Sequence, residues 1–536
     1  MKSGLAWFAS VSALAAATPL AAQEAISPAA KQIVADVQAV TAPGTDAALE
    51  PAEPTEPAAP ATVTAQAATM KARFERYMED AHVPGMVYGV VQGDELTLVQ
   101  GLGVRDLDTR LPVDADTRFR IASMSKAFTG LAILKLRDEG KLLLDAPAST
   151  YVPQLASWAV PTGDSPAVTV RDLMNHTAGF VEDNPWGDRQ QAITEDAFTA
   201  MLEGGMPFAF APGTTPEYSN YGFALLGRII GNVSGRRYQD YIREEIMLPL
   251  GMTSTTYDVL ADPPGSRAIG YRWQDEAWVR EPDMADGVFG AMGGVETTAN
   301  DYARWLAFVL SAWPPTDAPE TGPVRRSTVR EIAMLVSPWG LAETPPDAGG
   351  EICKESQGYS AGWFVMLGCE LGRNMRHTGG YPGYGSTVHV LPDAGVALFA
   401  FSARTYSSGR DVAYLALREL RQAGAIPDRT PEVGPKLAKA YEFAKWAWTK
   451  VDPAAVPLAN NVAMDLDLER RREALRALRD KVGACDTSAA VEPVSAMDGR
   501  FTWTCAQGAV EGRVQLAPTA ALQLQRLDFR QAEAGD

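Results

Sequence analysis

The sequence predicts a mixed α/β chain of the α+β kind: an antiparallel sheet flanked by helices, a helical lobe inserted between its early and late strands, and a small C-terminal α+β domain. Three observations carry this. Strand-like runs occupy residues 86–100 and return over 363–402; helical periodicity with Pro- and Gly-rich loops fills the interval; and a break at 427–431 (PDRTP) sets off a last segment with its own apolar stripes.

Taken in order, residues 1–22 read as a secretory signal peptide, with Lys2 ahead of a short apolar stretch and small residues at Ala21 and Ala22. The stretch is too short to cross a bilayer comfortably, so no stable transmembrane anchor is expected, an uncleaved N-terminal anchor being the alternative. Residues 23–68 read as a disordered tether: Gln23 to Ala42 could form a short helix, but residues 43–68, rich in Pro, Ala, Thr and Glu, hold too few large apolar side chains to fold. Residues 69–426 form the main domain. It opens with a helix from Met70 to Asp80 and a hairpin across Gly93-Asp94, and continues with a buried helix after Ser123 that Gly140 closes. Residues 169–180 and 218–235 carry helical periodicity. Strands follow at 363–367, 374–377, 386–391 and 396–402, then a helix over 411–423. In residues 432–536, Leu437, Tyr441, Ala444 and Trp448 share one helical stripe and Leu468, Leu475, Leu478 and Val482 another; Phe501, Trp503 and Cys505 alternate along a strand, with further strands at 510–516 and 522–529.

A chain of 536 residues exceeds one ordinary core, and its net charge of −18 argues against a nucleic-acid or anionic-membrane partner, a local basic patch being the alternative. The four cysteines fall into local pairs, Cys353 with Cys369 and Cys485 with Cys505. They are disulfide candidates, with buried free thiols as the alternative, and fit an exported protein, periplasmic or secreted. No C-x-x-C occurs and His82, His176, His377 and His389 show no ligand spacing, so neither metal nor cofactor is expected.

Ser123 and Lys126 are the ends of an S-x-x-K. On a helix starting near Ser123 this spacing stacks the amine one turn from the hydroxyl, at the end of the helix dipole that favours a developing oxyanion. Alone the motif is weak, since about one is expected by chance in so long a chain. Two further segments strengthen it: Tyr218-Ser219-Asn220, a Y-x-N, and His377-Thr378-Gly379, an H-T-G at a strand end. Ser123 needs its proton removed as it attacks a carbonyl. A desolvated Lys126 or a phenolate at Tyr218 would do this, and the pair is assigned jointly, with Tyr218 also passing a proton to the leaving group. Asn220 would hydrogen-bond an amide substrate. Residues 358–362 match G-x-S-x-G, but that elbow needs a strand before it and a helix after. Residues 351–357 do not read as a strand and 363–367 do, so Ser360 is set aside.

The order S-x-x-K, Y-x-N, H-T-G, with landmarks at Leu173–Gly179, Pro212-Gly213, 293–298 and Pro382-Gly383, resembles the class C β-lactamase-like superfamily of β-lactamases, penicillin-binding proteins, DD-peptidases, D-aminopeptidases and esterases. The resemblance covers about Met70 to Ala423. It implies the β-lactamase/transpeptidase-like fold, substrate contacts at His377, Thr378 and Gly379, and an oxyanion hole from the backbone N–H groups of Ser123 and Gly380. Class C β-lactamases usually carry lysine where this chain has His377, and an imidazole binds a substrate carboxylate less firmly. The expected activity is therefore acyl-enzyme hydrolysis of small esters or D-amino-acid-containing peptides and amides. A true β-lactamase, or a non-catalytic receptor for cell-wall peptides, is the alternative.

Overall fold

The computed structural model describes residues 62–532, apart from 262, 264, 347 and 348. The expected signal peptide and the tether up to residue 61 lie outside the described residues. Val63 is already buried ahead of helix α1 (Ala67–Asp80), and with Met70 and Phe74 it packs into a core, so packed structure starts before residue 69.

Eight antiparallel strands make the main sheet: β1 (Gly85–Gln92), β2 (Glu95–Gly103), β3 (Ser337–Glu343), β4 (Lys354–Ser360), β5 (Trp363–Gly368), β6 (Gly372–Tyr381), β7 (Tyr384–Leu391) and β8 (Val396–Ser402). Their spatial order is β2-β1-β8-β7-β6-β5-β4-β3. The N-terminal hairpin joins the late strands through β1 and β8, which pair from Met86↔Ser402 to Gln92↔Val396. Both faces of the central strands are covered, which is why β1 and β8 read as near-continuous apolar runs. Val87, Phe399 and Phe401 face the larger core beneath the helical lobe, whereas Tyr88, Leu398 and Ala400 face α1 and the late helix Arg410–Gln422.

Strands β3 and β4 correct the sequence reading, which placed no strand over 351–357. In β4 exposed Lys354 alternates with buried Glu355, so the usual apolar alternation is absent. Rejection of the elbow stands for the other reason: Ser360 lies in a β4–β5 hairpin with no helix after it.

The lobe between β2 and β3 is built on helices α2 (Lys126–Asp138), α3 (Asn220–Ser234) and α4 (Ala299–Leu310). In the 169–180 stretch only Val170–Met174 is helical, started by a Thr169/Asp172 capping box. Following the main domain's last helix, α5 (Arg410–Gln422), the C-terminal segment has helices α6 (Pro435–Lys450) and α7 (Leu468–Val482). They cover a five-stranded sheet that includes β9 (Asp498–Cys505), β10 (Gly508–Leu516) and β11 (Leu524–Gln531). Leu437, Ala444, Trp448, Phe501 and Trp503 are buried in a core separate from the other two, and the Trp503 indole donates to the Tyr441 hydroxyl at 2.8 Å. Both cysteine pairs are disulfides, Cys353–Cys369 beside the β4–β5 hairpin and Cys485–Cys505 across two paired strands. Such bridges persist in oxidising compartments. Among the described residues no helix is long and apolar enough to cross a membrane.

Candidate active site

Ser123 sits in a 3-10 turn, Ala122–Ser125, that runs into α2. Ala122 just before it adopts φ 47°, a left-handed conformation costly for a residue with a side chain and held here by its surroundings. Ile121 N–H bonds the Val295 carbonyl at 3.0 Å, and the Ser386 hydroxyl of β7 donates to the Ile121 carbonyl at 2.8 Å. Opposite, a Cβ on Gly379 would stand 2.3 Å from that same carbonyl and 2.2 Å from Ser386 Oγ. Only a glycine lets β6 come this close to the serine loop, which explains the glycine of the H-T-G.

Lys126 is fully buried in the first turn of α2. Its Nζ donates to Ser123 Oγ at 3.1 Å, Asn220 Oδ1 at 2.7 Å and the Met292 carbonyl at 2.9 Å. Burial lowers its pKa to about 7, against a smaller opposing pull from Asp183 and Asp188. Its proton is therefore held far less firmly than that of an exposed lysine, which suits the amine to exchange one with the adjacent hydroxyl.

The Y-x-N residues reach the amine because α3 starts at Asn220. Ser219 caps it, accepting from Gly222 N–H at 3.1 Å, and the buried Asp183 accepts from the N–H groups of Asn220 and Tyr221 at 2.8 and 2.7 Å. The Asn220 amide is engaged at both ends, its oxygen by Lys126 and its nitrogen by Asn184 Oδ1 at 3.1 Å. The Tyr218 ring lies 4.9 Å from Lys126 Nζ, and burial pushes the phenol's pKa far above its ordinary value; its contact with the Ser123 hydroxyl does not offset this. A resident phenolate, one of the two bases the sequence left open, is disfavoured.

His377 is buried, and burial together with the Lys126 charge takes its pKa down to about 3. Its Nδ1 meets the Thr378 carbonyl at 2.7 Å and its Nε2 the Tyr359 hydroxyl at 3.2 Å, so the neutral ring donates from Nδ1 and accepts at Nε2. His176 packs on Tyr218 with ring centroids 4.4 Å apart, accepts from Ser219 N–H at 3.2 Å, and is likewise held neutral by burial. Glu296, for which the sequence offers no role, pairs with Arg267 away from the cleft residues.

Ser123, Tyr218, Asn220, His377, Thr378 and Gly380 line one cleft of about 750 Å³. Lys126 lies beneath it, and Gly379 presses on the serine loop instead of lining it. Sequence reasoning missed the remaining walls: Glu182, Asn184, Asp188 and Arg189 from a short helical segment (Asn184–Gly187 and the 3-10 turn Asp188–Gln190) and the residues before it, Trp339 and Phe364 from β3 and β5, and Tyr406, whose hydroxyl donates to Asp188. It also missed Asp183, which supports a helix starting 37 residues later and so belongs to no short motif.

A cleft at the junction of an antiparallel sheet and a helical lobe, with Ser123 beside a buried lysine, fits one class, the β-lactamase and penicillin-binding protein superfamily of serine hydrolases, and the family comparison shows it. The chain belongs to the beta-lactamase family, whose model matches residues 70–422. It is similar to protein flp of Staphylococcus aureus (strain N315), 32% identical over 247 residues that make up 45% of this chain and 48% of that protein. Uncharacterized protein MT1414 of Mycobacterium tuberculosis is 32% identical over 250 residues, 42% of this chain and 62% of that protein. The chain thus spans about half the length of the flp relatives it matches. Among solved structures, the octameric penicillin-binding protein homologue from Pyrococcus abyssi aligns over 86% of this chain and 99% of its own, with a TM-score of 0.55 at 20% identity. The penicillin binding protein from Bacillus halodurans aligns over 65% and 98%, with a TM-score of 0.50 at 23% identity. At these identities the two likenesses are of fold alone.

Proposed function

We propose that this chain hydrolyses small esters and D-amino-acid-containing peptides or amides through an acyl-enzyme on Ser123, acting outside the cytoplasm. The observation that carries the reading is the buried amine of Lys126, 3.1 Å from Ser123 Oγ with its pKa near 7. Lys126 takes the hydroxyl proton as Oγ adds to the substrate carbonyl carbon. The oxyanion forms against the N–H groups of Ser123 and Gly380, the latter on a stretch of β6 that runs past the end of its pairing with β5 at Arg376. Collapse breaks the bond to the alcohol or amine, which receives a proton through Tyr218, resupplied by Lys126. Water then attacks the acyl carbon under the same base and frees the acid. The neutral His377 offers no charge to a ring carboxylate, which favours esters and simple amides over β-lactams. Two disulfides support an exported location.

Purified protein is to be assayed on p-nitrophenyl esters, D-Ala-D-Ala peptides, D-amino-acid amides and nitrocefin, beside Ser123→Ala. The expected result is ester or amide turnover lost in Ser123→Ala, with a fluorophosphonate adduct on the Ser123 peptide. Equal rates in both proteins, an adduct on Ser360, or nitrocefin as the preferred substrate would each overturn the assignment.

A further inference from the structure

Arg120 ends the short strand Phe119–Arg120, which pairs with Glu296–Thr297 just ahead of the Ser123 turn. It is shut off from solvent, at 1% exposure, yet among the described residues no carboxylate lies within ion-pair distance of it. Its Nη2 donates to Gln191 Oε1 at 2.7 Å and its Nη1 to the Met284 carbonyl at 2.9 Å, while Nε has no acceptor. The guanidinium lies 4.3 Å from the centroid of the Tyr381 ring, and the Tyr381 hydroxyl is buried without a partner too. As core filler this is a poor arrangement. A hydrophobe of similar volume holds a core together at less cost than a desolvated cation without a counter-ion.

What the side chain touches gives it another use. The Arg120 backbone continues through Ile121 into the Ser123 turn, and Tyr381 directly follows Gly380 on β6. Gln191 follows the turn that carries Asp188 and Arg189, and its Nε2 donates at 3.2 Å to the Phe289 carbonyl. Phe289 precedes the helical turn Gly290–Gly293, whose Met292 carbonyl accepts from Lys126. One cation thus ties together the segments that bear the Ser123 N–H, the Gly380 N–H and the carbonyl that fixes the lysine. We infer that Arg120 is a positioning residue: stacked on Tyr381, with its own backbone leading to Ser123, it keeps the Ser123 and Gly380 N–H groups converged on one point. The inference rests on the proposed acyl-enzyme at Ser123 and adds a part to it, because Arg120 lines no part of the cleft and acts only through its neighbours.

Arg120→Met and Arg120→Lys are compared with wild type on p-nitrophenyl acetate, with rates expressed per serine titrated by exhaustive fluorophosphonate labelling. Arg120→Met is expected to lower kcat per reactive serine about a hundredfold while KM stays within about threefold. Inhibition by phenylboronic acid, whose adduct on Ser123 is tetrahedral and anionic, should weaken by a similar factor. Arg120→Lys keeps the charge but not the planar fork, and should recover about a tenth of the wild-type rate or less. A merely structural role would lower the melting temperature and the number of titrated serines, and leave kcat per serine and boronate affinity unchanged. That result, or full recovery by lysine, overturns the inference. If Arg120→Met does not fold, Tyr381→Leu decides in its place, since it removes the stacked ring and spares the guanidinium's hydrogen bonds: a comparable loss of kcat per serine supports the inference and an unchanged kcat overturns it. A wild type that neither turns over ester nor takes label refutes the acyl-enzyme and the inference with it, whereas an active wild type matched by Arg120→Met refutes the inference alone.

Discussion

If Lys126 is the base, the acid limb of kcat/KM for a neutral ester lies where the amine titrates. Burial brings that group from 10.5 to about 7. Below pH 7 the rate should fall about tenfold per pH unit, because only the neutral amine can take the Ser123 proton, and at pH 5 it should stand about a hundredfold under its plateau. The buried imidazoles cannot supply such a limb, His377 titrating near 3 and His176 well below its ordinary range. A carboxylate could, and Asp183→Asn separates the two: Asp183 raises the amine's pKa, so its neutralisation should move the limb to lower pH without removing it. Stability responds to the same shift. With the folded pKa below the unfolded one, the unfolded chain holds more protons between pH 7 and 10.5, and this group's contribution rises with pH across that window. At pH 7 its burial costs about 4–5 kcal/mol. Lys126→Met removes that cost but leaves the Asn220 and Met292 oxygens without their donor, at about 1–3 kcal/mol each. The two effects offset, so the melting temperature should move little while the rate drops by about a thousandfold or more. A pH-stat assay on a p-nitrophenyl ester with thermal melts of each variant is sufficient. A limb centred below about pH 5.5, or a Lys126→Met rate within about tenfold of wild type, would refute the reasoning.

Tyr218→Phe should lower kcat/KM by about 10²–10⁴ yet leave the acid limb in place, since the phenol stays protonated; loss of the limb in the same pH-rate profile would restore the phenolate reading. Gly379→Ala drives a methyl group into the Ile121 carbonyl and should cost about 3 kcal/mol in denaturant titrations, together with most of the activity. Paired serine replacement of Cys353 and Cys369, which close a loop of sequence separation 16, should cost about 3 kcal/mol by the same measurement. Ester hydrolysis by that variant under native conditions should remain near wild type.

The residues legible in advance were those whose spacing is itself the chemistry. Ser123 and Lys126 are one helical turn apart, Tyr218 and Asn220 bracket a helix cap, and Thr378, Gly379 and Gly380 follow along one strand, so each group announces itself locally. Asp183 and Tyr406 do not. Each matters for what lies across a tertiary contact, and nothing in its neighbourhood in the chain differs from an ordinary loop. The sheet was read most accurately where both faces are apolar, as in β8, found at Val396–Ser402 as expected. It was missed in β3 and β4, where Glu355, Arg376 and Tyr414 form a polar pocket beside the sheet and disguise the alternation.

The clamp at Ile121, gripped by Ser386 on one side and crowded by Gly379 on the other, leaves the reacting geometry no slack. Drift in the lineage is therefore channelled outward. New preferences should arise by redecorating the rim, at Trp339, Phe364, Tyr406 and the 182–189 segment, while the hearth beneath stays fixed. Directed evolution aimed at the rim should yield new substrates, and libraries aimed at the clamp should yield mostly dead protein.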